Sequence, residues 1–72
     1  MGNIFTFYTV SEVLKFEKVL KENNISVKLM PVPRSLSTSC GTCALTENND
    51  LNEIKKLIEE KKLVYDEIHE LQ

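Results

Sequence analysis

Several features that mark common functional classes are missing from this sequence. There is no basic block: nine basic and eleven acidic residues are spread along the chain, with a formal net charge of −2. This balance argues against nucleic acid as a partner. No apolar run approaches the ~20 residues that span a bilayer, and the chain starts with a strand-like segment instead of an apolar leader. We therefore expect a cytoplasmic protein that does not bind membranes.

Metal-binding side chains are also scarce. The chain has one histidine, His69, and two cysteines, Cys40 and Cys43. A closed zinc site takes four ligands, usually two pairs, so we expect no metal and no cofactor unless two chains supply two ligands each. Cytosolic cysteines are normally reduced, so a structural disulfide is not expected.

The length of the chain limits what kind of site it can build. With 72 residues, we expect a single domain over residues 1–72. A domain of this size buries only about 60% of the surface of its unfolded chain. That leaves no room for a deep substrate cavity, so any site is expected on the surface.

The first part of the sequence predicts a strand followed by a helix. Residues 4–8 are apolar at every position but one, which is typical of a covered strand. Thr9 and Glu12 have the spacing of a capping box, which predicts a helix running to about Glu22. Asn23-Asn24 can adopt the left-handed conformation that ends it. The expected inward face contains Val13, Phe16 and Leu20, with Val10 and Glu17 at its edges.

A second and a third strand are predicted around the middle of the chain. Residues 25–29 alternate between apolar and polar side chains. Pro31 is expected to end the pairing of this strand because proline has no backbone N–H. Four of the five residues 35–39 are polar and predict a loop, and residues 43–46 predict a short third strand.

The last part of the sequence predicts a second helix and a fourth strand. Asp50 and Glu53 repeat the capping-box spacing. The apolar face of this helix contains Leu51, Ile54, Leu57 and Ile58. Residues 63–65 predict a strand, with a continuing helix as the alternative.

The predicted order of elements is βαββαβ. It corresponds to an α+β, ferredoxin-like fold with a four-stranded antiparallel sheet and two helices on one face. Because this fold supports many functions, the architecture alone does not indicate one.

The unusual chemistry of the chain is concentrated between Met30 and Leu45. This segment contains both cysteines, both prolines and the single arginine, Arg34. Cys40 and Cys43 form a C-x-x-C pair, which is typical of a metal site or a dithiol redox pair. Pairing of the two thiols requires a turn at Gly41-Thr42, and the alternative for Cys43 is a small buried residue.

A third interpretation makes Cys40 a lone reactive thiolate. Arg34, Ser37, Ser39 and Gly41 would then supply charge and hydrogen bonds to an anion. His69 could act as a base only if the fold brings it close.

The segment P-V-P-R-S-L-S-T-S-C-G, residues 31–41, resembles the selenium/sulfur carrier-like family of small bacterial proteins. Members of that family have a P-x-P-R segment, a serine-rich loop and Cys-Gly in a βαββαβ chain. The resemblance implies that Cys40 carries sulfur or selenium as a persulfide or perselenide. Arg34 and Gly41 match the family arginine and glycine. Two features differ: Cys43 replaces a small apolar residue, and residues 44–47 lack a basic residue expected there.

The resulting hypothesis is a carrier protein, at most an intermediate in sulfur transfer rather than an enzyme. Its expected partners are sulfur or selenium donor and acceptor proteins. Two alternatives remain: a thiol-disulfide redox protein that uses Cys40 and Cys43, and a small interaction module without thiol chemistry. Within the carrier hypothesis, Cys43 could also act as a resolving thiol that releases sulfide from Cys40.

Overall fold

The computed structural model describes residues 2–33 and 41–70. The elements, in chain order, are β1 (Gly2–Thr6), α1 (Val10–Glu22), β2 (Val27–Pro31), β3 (Thr42–Glu47), a 3₁₀ turn (Asn48–Asp50), α2 (Leu51–Lys61) and β4 (Ile68–Glu70). The four strands form one antiparallel sheet in the order β2-β3-β1-β4. This confirms the predicted α+β, ferredoxin-like βαββαβ fold. No helix in residues 2–33 and 41–70 is both long enough and apolar enough to cross a membrane.

One face of the sheet packs against both helices, and we call it the helix-covered face. Phe5 of β1 contacts Phe16 of α1, with ring centroids 4.9 Å apart. Phe7, just after β1, contacts the same ring at 5.1 Å. Tyr65 packs edge-on against Phe5 at 5.5 Å. The buried members of this core are Phe5, Phe7, Val13, Phe16, Val19, Leu20, Ile25, Ala44, Ile54, Leu57 and Leu63.

The first helix begins as the sequence predicts. The Thr9 side chain accepts a hydrogen bond from the Glu12 N–H, and the Glu12 carboxylate accepts from the Thr9 N–H, so the capping box is complete. The helix ends at Glu22, and Asn24 has a left-handed φ of 59°. Val19 is buried although the sequence did not predict it, and Val10 is half exposed instead of lying at the edge of the core.

The predicted bounds of the first two strands were wrong by two residues, in opposite directions. The first strand ends at Thr6 because the Tyr8 N–H already binds the Glu12 carboxylate, as part of the start of the helix. The second strand starts at Val27 because the Ile25 N–H donates to the Leu20 carbonyl at the helix end.

The predicted effect of Pro31 was also wrong. Pro31 remains paired with Thr42, and the Val32 N–H still donates to the Gly41 carbonyl. Proline is tolerated here because β2 is at the edge of the sheet, where a missing N–H can face away from the neighbouring strand.

The second half of the chain confirms the helix and corrects its surroundings. Asp50 makes no side-chain capping hydrogen bond, so the predicted second capping box was wrong; Asp50 is instead the last residue of the 3₁₀ turn. The helix ends at Lys61, and Lys62 has a left-handed φ of 53°. A fourth strand follows, as predicted, but at Ile68–Glu70 and not at residues 63–65. Buried Leu63 belongs to the core.

The other side of the sheet, which we call the opposite face, has a different composition. The strand register places Thr6, Cys43 and Met30 in one row across the sheet. The next row contains His69, Ile4, Leu45 and Lys28. These positions alternate with those of the helix-covered face. The predicted loop over residues 35–39 lies outside the described residues.

Candidate functional site

β2 and β3 form a hairpin, and the residues that connect its two strands include Cys40. We call residues 33–40 the cysteine segment. The ladder of the hairpin runs from the Val27–Thr46 pair to the Pro31–Thr42 pair. One further bond, from the Val32 N–H to the Gly41 carbonyl at 3.1 Å, lies beyond the last strand pair. The two positions between which the cysteine segment runs are therefore side by side. We call this end of the hairpin, defined by Val32 and Gly41, the hairpin end.

Gly41 gives the hairpin end its geometry. Its φ is +74°, in the left-handed region that favours glycine. A Cβ atom at this position would meet nothing within 4 Å, and the residue is exposed. The glycine is therefore needed for its backbone conformation and not for lack of space.

Cys43 occupies a different environment from an exposed thiol. It is the second residue of β3, 0% exposed, and lies on the opposite face beside Thr6 and Met30. Its sulfur is 3.8 Å from the Pro31 carbonyl oxygen, within range of a weak S–H hydrogen bond. Such burial fits the interpretation of Cys43 as a small packed residue. A role as resolving thiol stays a prediction.

The end of β1 lies at the same end of the sheet. Thr6 pairs with Cys43 on one side, and its N–H donates to the Glu67 carbonyl at 2.8 Å on the other. The Thr6 hydroxyl accepts from the Glu67 N–H at 3.0 Å, and the Thr6 carbonyl accepts from the Asp66 N–H at 2.6 Å. These bonds hold residues 66 and 67 next to the exit of β1.

Three carboxylates raise the pKa of Tyr8, which follows the end of β1 by two residues. The negative charge of Asp66 and a hydrogen bond with its side chain raise the pKa of Tyr8 above its ordinary value of 10.0. Glu12 and Glu67 contribute in the same direction because they disfavour the phenolate. The sequence does not predict this cluster, since Tyr8 and Asp66 are far apart in the chain and form no local motif.

The single histidine lies on the opposite face. His69 of β4 pairs with Ile4, and its Nε2 is 3.0 Å from the Glu67 carboxylate. It shares this face with Cys43, but β1 separates the two strands that carry them, a distance of about 10 Å across the sheet. A role for His69 as a base toward Cys40 stays a prediction.

The predicted site residues divide into two groups. Gly41 lies at the hairpin end, and Cys43 lies two residues further along the chain. The other predicted site residues, Arg34, Ser37, Ser39 and Cys40, lie outside the described residues. Within the described part of the chain, no three His, Cys, Asp or Glu side chains form a group that could hold a metal ion.

Comparison with known proteins gives one result. No curated protein and no solved structure matches the chain significantly. The family model described as "Putative Se/S carrier protein-like" matches residues 2–70, which includes every strand and helix and the whole cysteine segment. This chain is a member of the Se/S carrier protein-like family.

Proposed function

We propose that this protein carries sulfur or selenium on Cys40, as a persulfide or perselenide, between a donor protein and an acceptor protein. Membership in the Se/S carrier protein-like family supports a carrier role. The observation that carries the assignment to Cys40 is the geometry of the hairpin end. Gly41, to which Cys40 is directly bonded, is exposed and lies past the last pair of the β2–β3 ladder.

The proposed transfer needs no oxidant and no reductant. The Cys40 thiolate attacks the outer sulfur of a persulfide on the donor's cysteine. A new S–S bond forms on Cys40, the S–S bond on the donor breaks, and the donor cysteine leaves as a thiolate. Delivery repeats the same exchange with a thiolate of the acceptor. With selenium, the atom that moves is the outer selenium of the donor's S–Se bond.

The anionic product of this step needs a stabilising environment. We assign that role to Arg34 and to the hydroxyl groups of Ser37 and Ser39, together with backbone N–H groups near Gly41. An arginine and several hydrogen-bond donors are the usual partners of an anion on a protein surface. The described residues next to this segment, residues 42–47, supply no lysine or arginine, so the proposal gives Arg34 the main charge.

Mass spectrometry tests the proposal directly. The protein is incubated with a cysteine desulfurase and cysteine, then digested without reductant. We expect one or more added sulfur atoms on the peptide that contains Cys40, and none on that peptide from Cys40→Ser. A Cys43→Ala variant, matched as the loss of the other thiol, should still be loaded. A Cys40 that stays unmodified after desulfurase turnover and also after incubation with polysulfide would falsify the carrier assignment. Selenocysteine in place of cysteine distinguishes selenium from sulfur.

The redox alternative rests on the bend at Gly41. A disulfide between Cys40 and Cys43 requires a turn at Gly41-Thr42, and the left-handed φ of +74° at Gly41 supports this alternative. In such a protein the Cys43 thiolate would attack the oxidised Cys40 sulfur and expel its substituent, and a cellular thiol would later reduce the disulfide. Counting thiols before and after mild oxidation separates the two functions. A loss of both thiols that reductant reverses favours the redox protein, and an unchanged count removes it.

A further inference from the structure

The exposed apolar side chains of the described residues are gathered at two neighbouring segments. The four large ones, each about half exposed, are Tyr8 at 51%, Val10 at 51%, Leu14 at 54% and Val64 at 50%. Tyr8 and Val10 directly follow β1, and Leu14 is one helical turn beyond Val10. Val64 lies two residues before Asp66, whose backbone N–H donates to the carbonyl of Thr6, two residues before Tyr8. We call these four residues the Tyr8 patch.

Carboxylates border the Tyr8 patch. The Glu12 carboxylate accepts from the Tyr8 N–H at 2.9 Å, and backbone bonds from Thr6 hold Asp66 and Glu67 beside the exit of β1. Among the described residues, none of these three carboxylates pairs with a lysine or an arginine, and Glu67 lies 3.0 Å from Nε2 of His69. The patch is therefore apolar at its centre and negative at its rim, which is the arrangement of a protein-binding surface.

The Tyr8 patch lies at the same end of the sheet as the hairpin end. Tyr8 is two residues past Thr6, Gly41 is two residues before Cys43, and Thr6 pairs with Cys43. Cα atoms two residues apart are separated by at most about 7 Å and paired strands by about 5 Å, so Tyr8 and Gly41 lie within about 20 Å of each other. A protein interface of standard size covers about 800 Å² on each partner, a patch about 30 Å across. One partner can therefore cover both at once.

We propose that the Tyr8 patch is the docking surface for the sulfur-donor enzyme, and that the donor presents an apolar surface bordered by lysines and arginines. Charge complementarity selects this occupant. An anionic membrane and a nucleic acid would both meet negative charge here. In a symmetric dimer of this chain the same carboxylates would face each other across the two-fold axis, which is unfavourable. A basic partner also brings positive charge toward the anionic sulfur on Cys40.

This inference rests on the proposed function, and two sulfur sources separate their failures. Polysulfide loads a reactive cysteine without any docking protein, whereas a cysteine desulfurase with cysteine loads it through contact between proteins. The test variant is Val64→Lys, which places a positive charge in the patch at a position that is half exposed. The matched control is Ser26→Lys, which adds the same charge at an exposed residue just before β2, at the other end of the sheet.

The expected result is a specific loss of enzymatic loading. Desulfurase-driven loading of Val64→Lys should be slower by about ten-fold, because like charges now meet at the interface. Polysulfide loading of the same variant, and both kinds of loading of Ser26→Lys, should match the wild type. Wild-type loading by the desulfurase should also slow as salt rises, because exposed charges are screened. A circular dichroism spectrum checks that both variants are folded.

Three results would overturn the inference. Equal desulfurase loading of Val64→Lys and wild type removes the docking surface and leaves the carrier function standing. Loading of the wild type by polysulfide but not by the desulfurase would also remove the docking surface and leave the carrier function standing. A wild-type dimer that Val64→Lys converts to monomer would show that the patch binds a second copy of this chain. Loading by neither source, in contrast, removes the carrier function itself.

Discussion

The two faces of the sheet are built from the same strands but from different kinds of residue. On the helix-covered face, Phe5 and Ala44 pack against the aromatic and aliphatic side chains of α1 and α2. On the opposite face, the central row contains the small or polar side chains of Thr6 and Cys43 next to Met30. The first face provides the apolar burial that stabilises a small domain. The second face also contains buried residues, namely Ile4, Thr6 and Cys43, and the thiol chemistry of the proposed function belongs to the segment beyond the hairpin end, outside the helix-covered core.

The largest expected effect is on the helix-covered face. Phe16 is fully buried and touches both Phe5 and Phe7. Phe16→Ala should lower the free energy of unfolding by about 3–5 kcal/mol, a large part of the roughly 4–10 kcal/mol expected for a domain of this length. Urea denaturation measures it. Leu14→Ala, on the exposed side of the same helix, is the control and should change stability by about 0.5 kcal/mol or less. Similar losses for both variants would contradict a core on this face.

A second comparison uses a buried threonine on each face. The Thr6 hydroxyl on the opposite face accepts from the Glu67 N–H at 3.0 Å. Thr46 on the helix-covered face donates to the Asn3 carbonyl at the longer distance of 3.5 Å. Thr6→Val leaves the Glu67 N–H without that partner and should cost about 1–3 kcal/mol, whereas Thr46→Val should cost about 0.5 kcal/mol. Chemical denaturation of the two variants gives the difference, and a larger loss for Thr46→Val would reverse the comparison.

At the hairpin end, the backbone rather than packing should decide the effect. Gly41→Ala puts a Cβ on a residue with φ +74° but meets no neighbouring atom. The expected cost is about 1–2 kcal/mol, from the left-handed conformation alone. Asparagine tolerates this conformation better, so Gly41→Asn should cost less. Thermal unfolding of both variants tests this. Equal losses of stability would contradict the expectation that asparagine tolerates the left-handed conformation better than alanine.

Substitution of Cys43 tests its packing on the opposite face and its part in the proposed thiol chemistry. Its side chain is 0% exposed, so Cys43→Ala should lower stability by about 1 kcal/mol, measured in the presence of reductant. Sulfur loading of Cys40 by a desulfurase should be unchanged in the same variant. If loading instead rises or the persulfide lives longer, Cys43 is a resolving thiol that releases sulfide.

The sequence predicts the helix-covered face better than the rest of the molecule, for a physical reason. Helix periodicity and the Thr9–Glu12 capping box are local patterns. They predict α1 and the apolar positions of α2, and the structure confirms both. The end of a strand depends on its partners. The end of β1 is also held by bonds between Thr6 and residues 66 and 67, near the other end of the chain. No local pattern carries that information.

The same reason applies to the fourth strand and to the candidate site. The apolar residues 63–65 predict a strand, but Leu63 packs in the core. The fourth strand forms further along the chain, where Ile68 pairs with Phe5. Cys40 and Arg34 were identified from residue type and family resemblance. The acidic border of the Tyr8 patch could not be identified from the sequence, because Tyr8 and Asp66 meet only in the folded chain.

The smallest expected effect concerns Tyr8, just beyond the Thr6–Cys43 row of the opposite face. The pKa of Tyr8 should lie above 10.0, mainly because of Asp66, and Asp66→Asn should lower it toward that value. Because the pKa is raised in the folded state, the stability linked to this phenol is complete below pH 10 and is lost as the pH rises through the raised pKa. Ultraviolet titration in a Tyr65→Phe background follows Tyr8 alone. Glu17→Gln, a carboxylate on α1 that does not act on Tyr8, is the control, and an equal shift in both variants would show that only the net charge of the protein matters. High salt should reduce the shift, because the phenol is exposed to solvent.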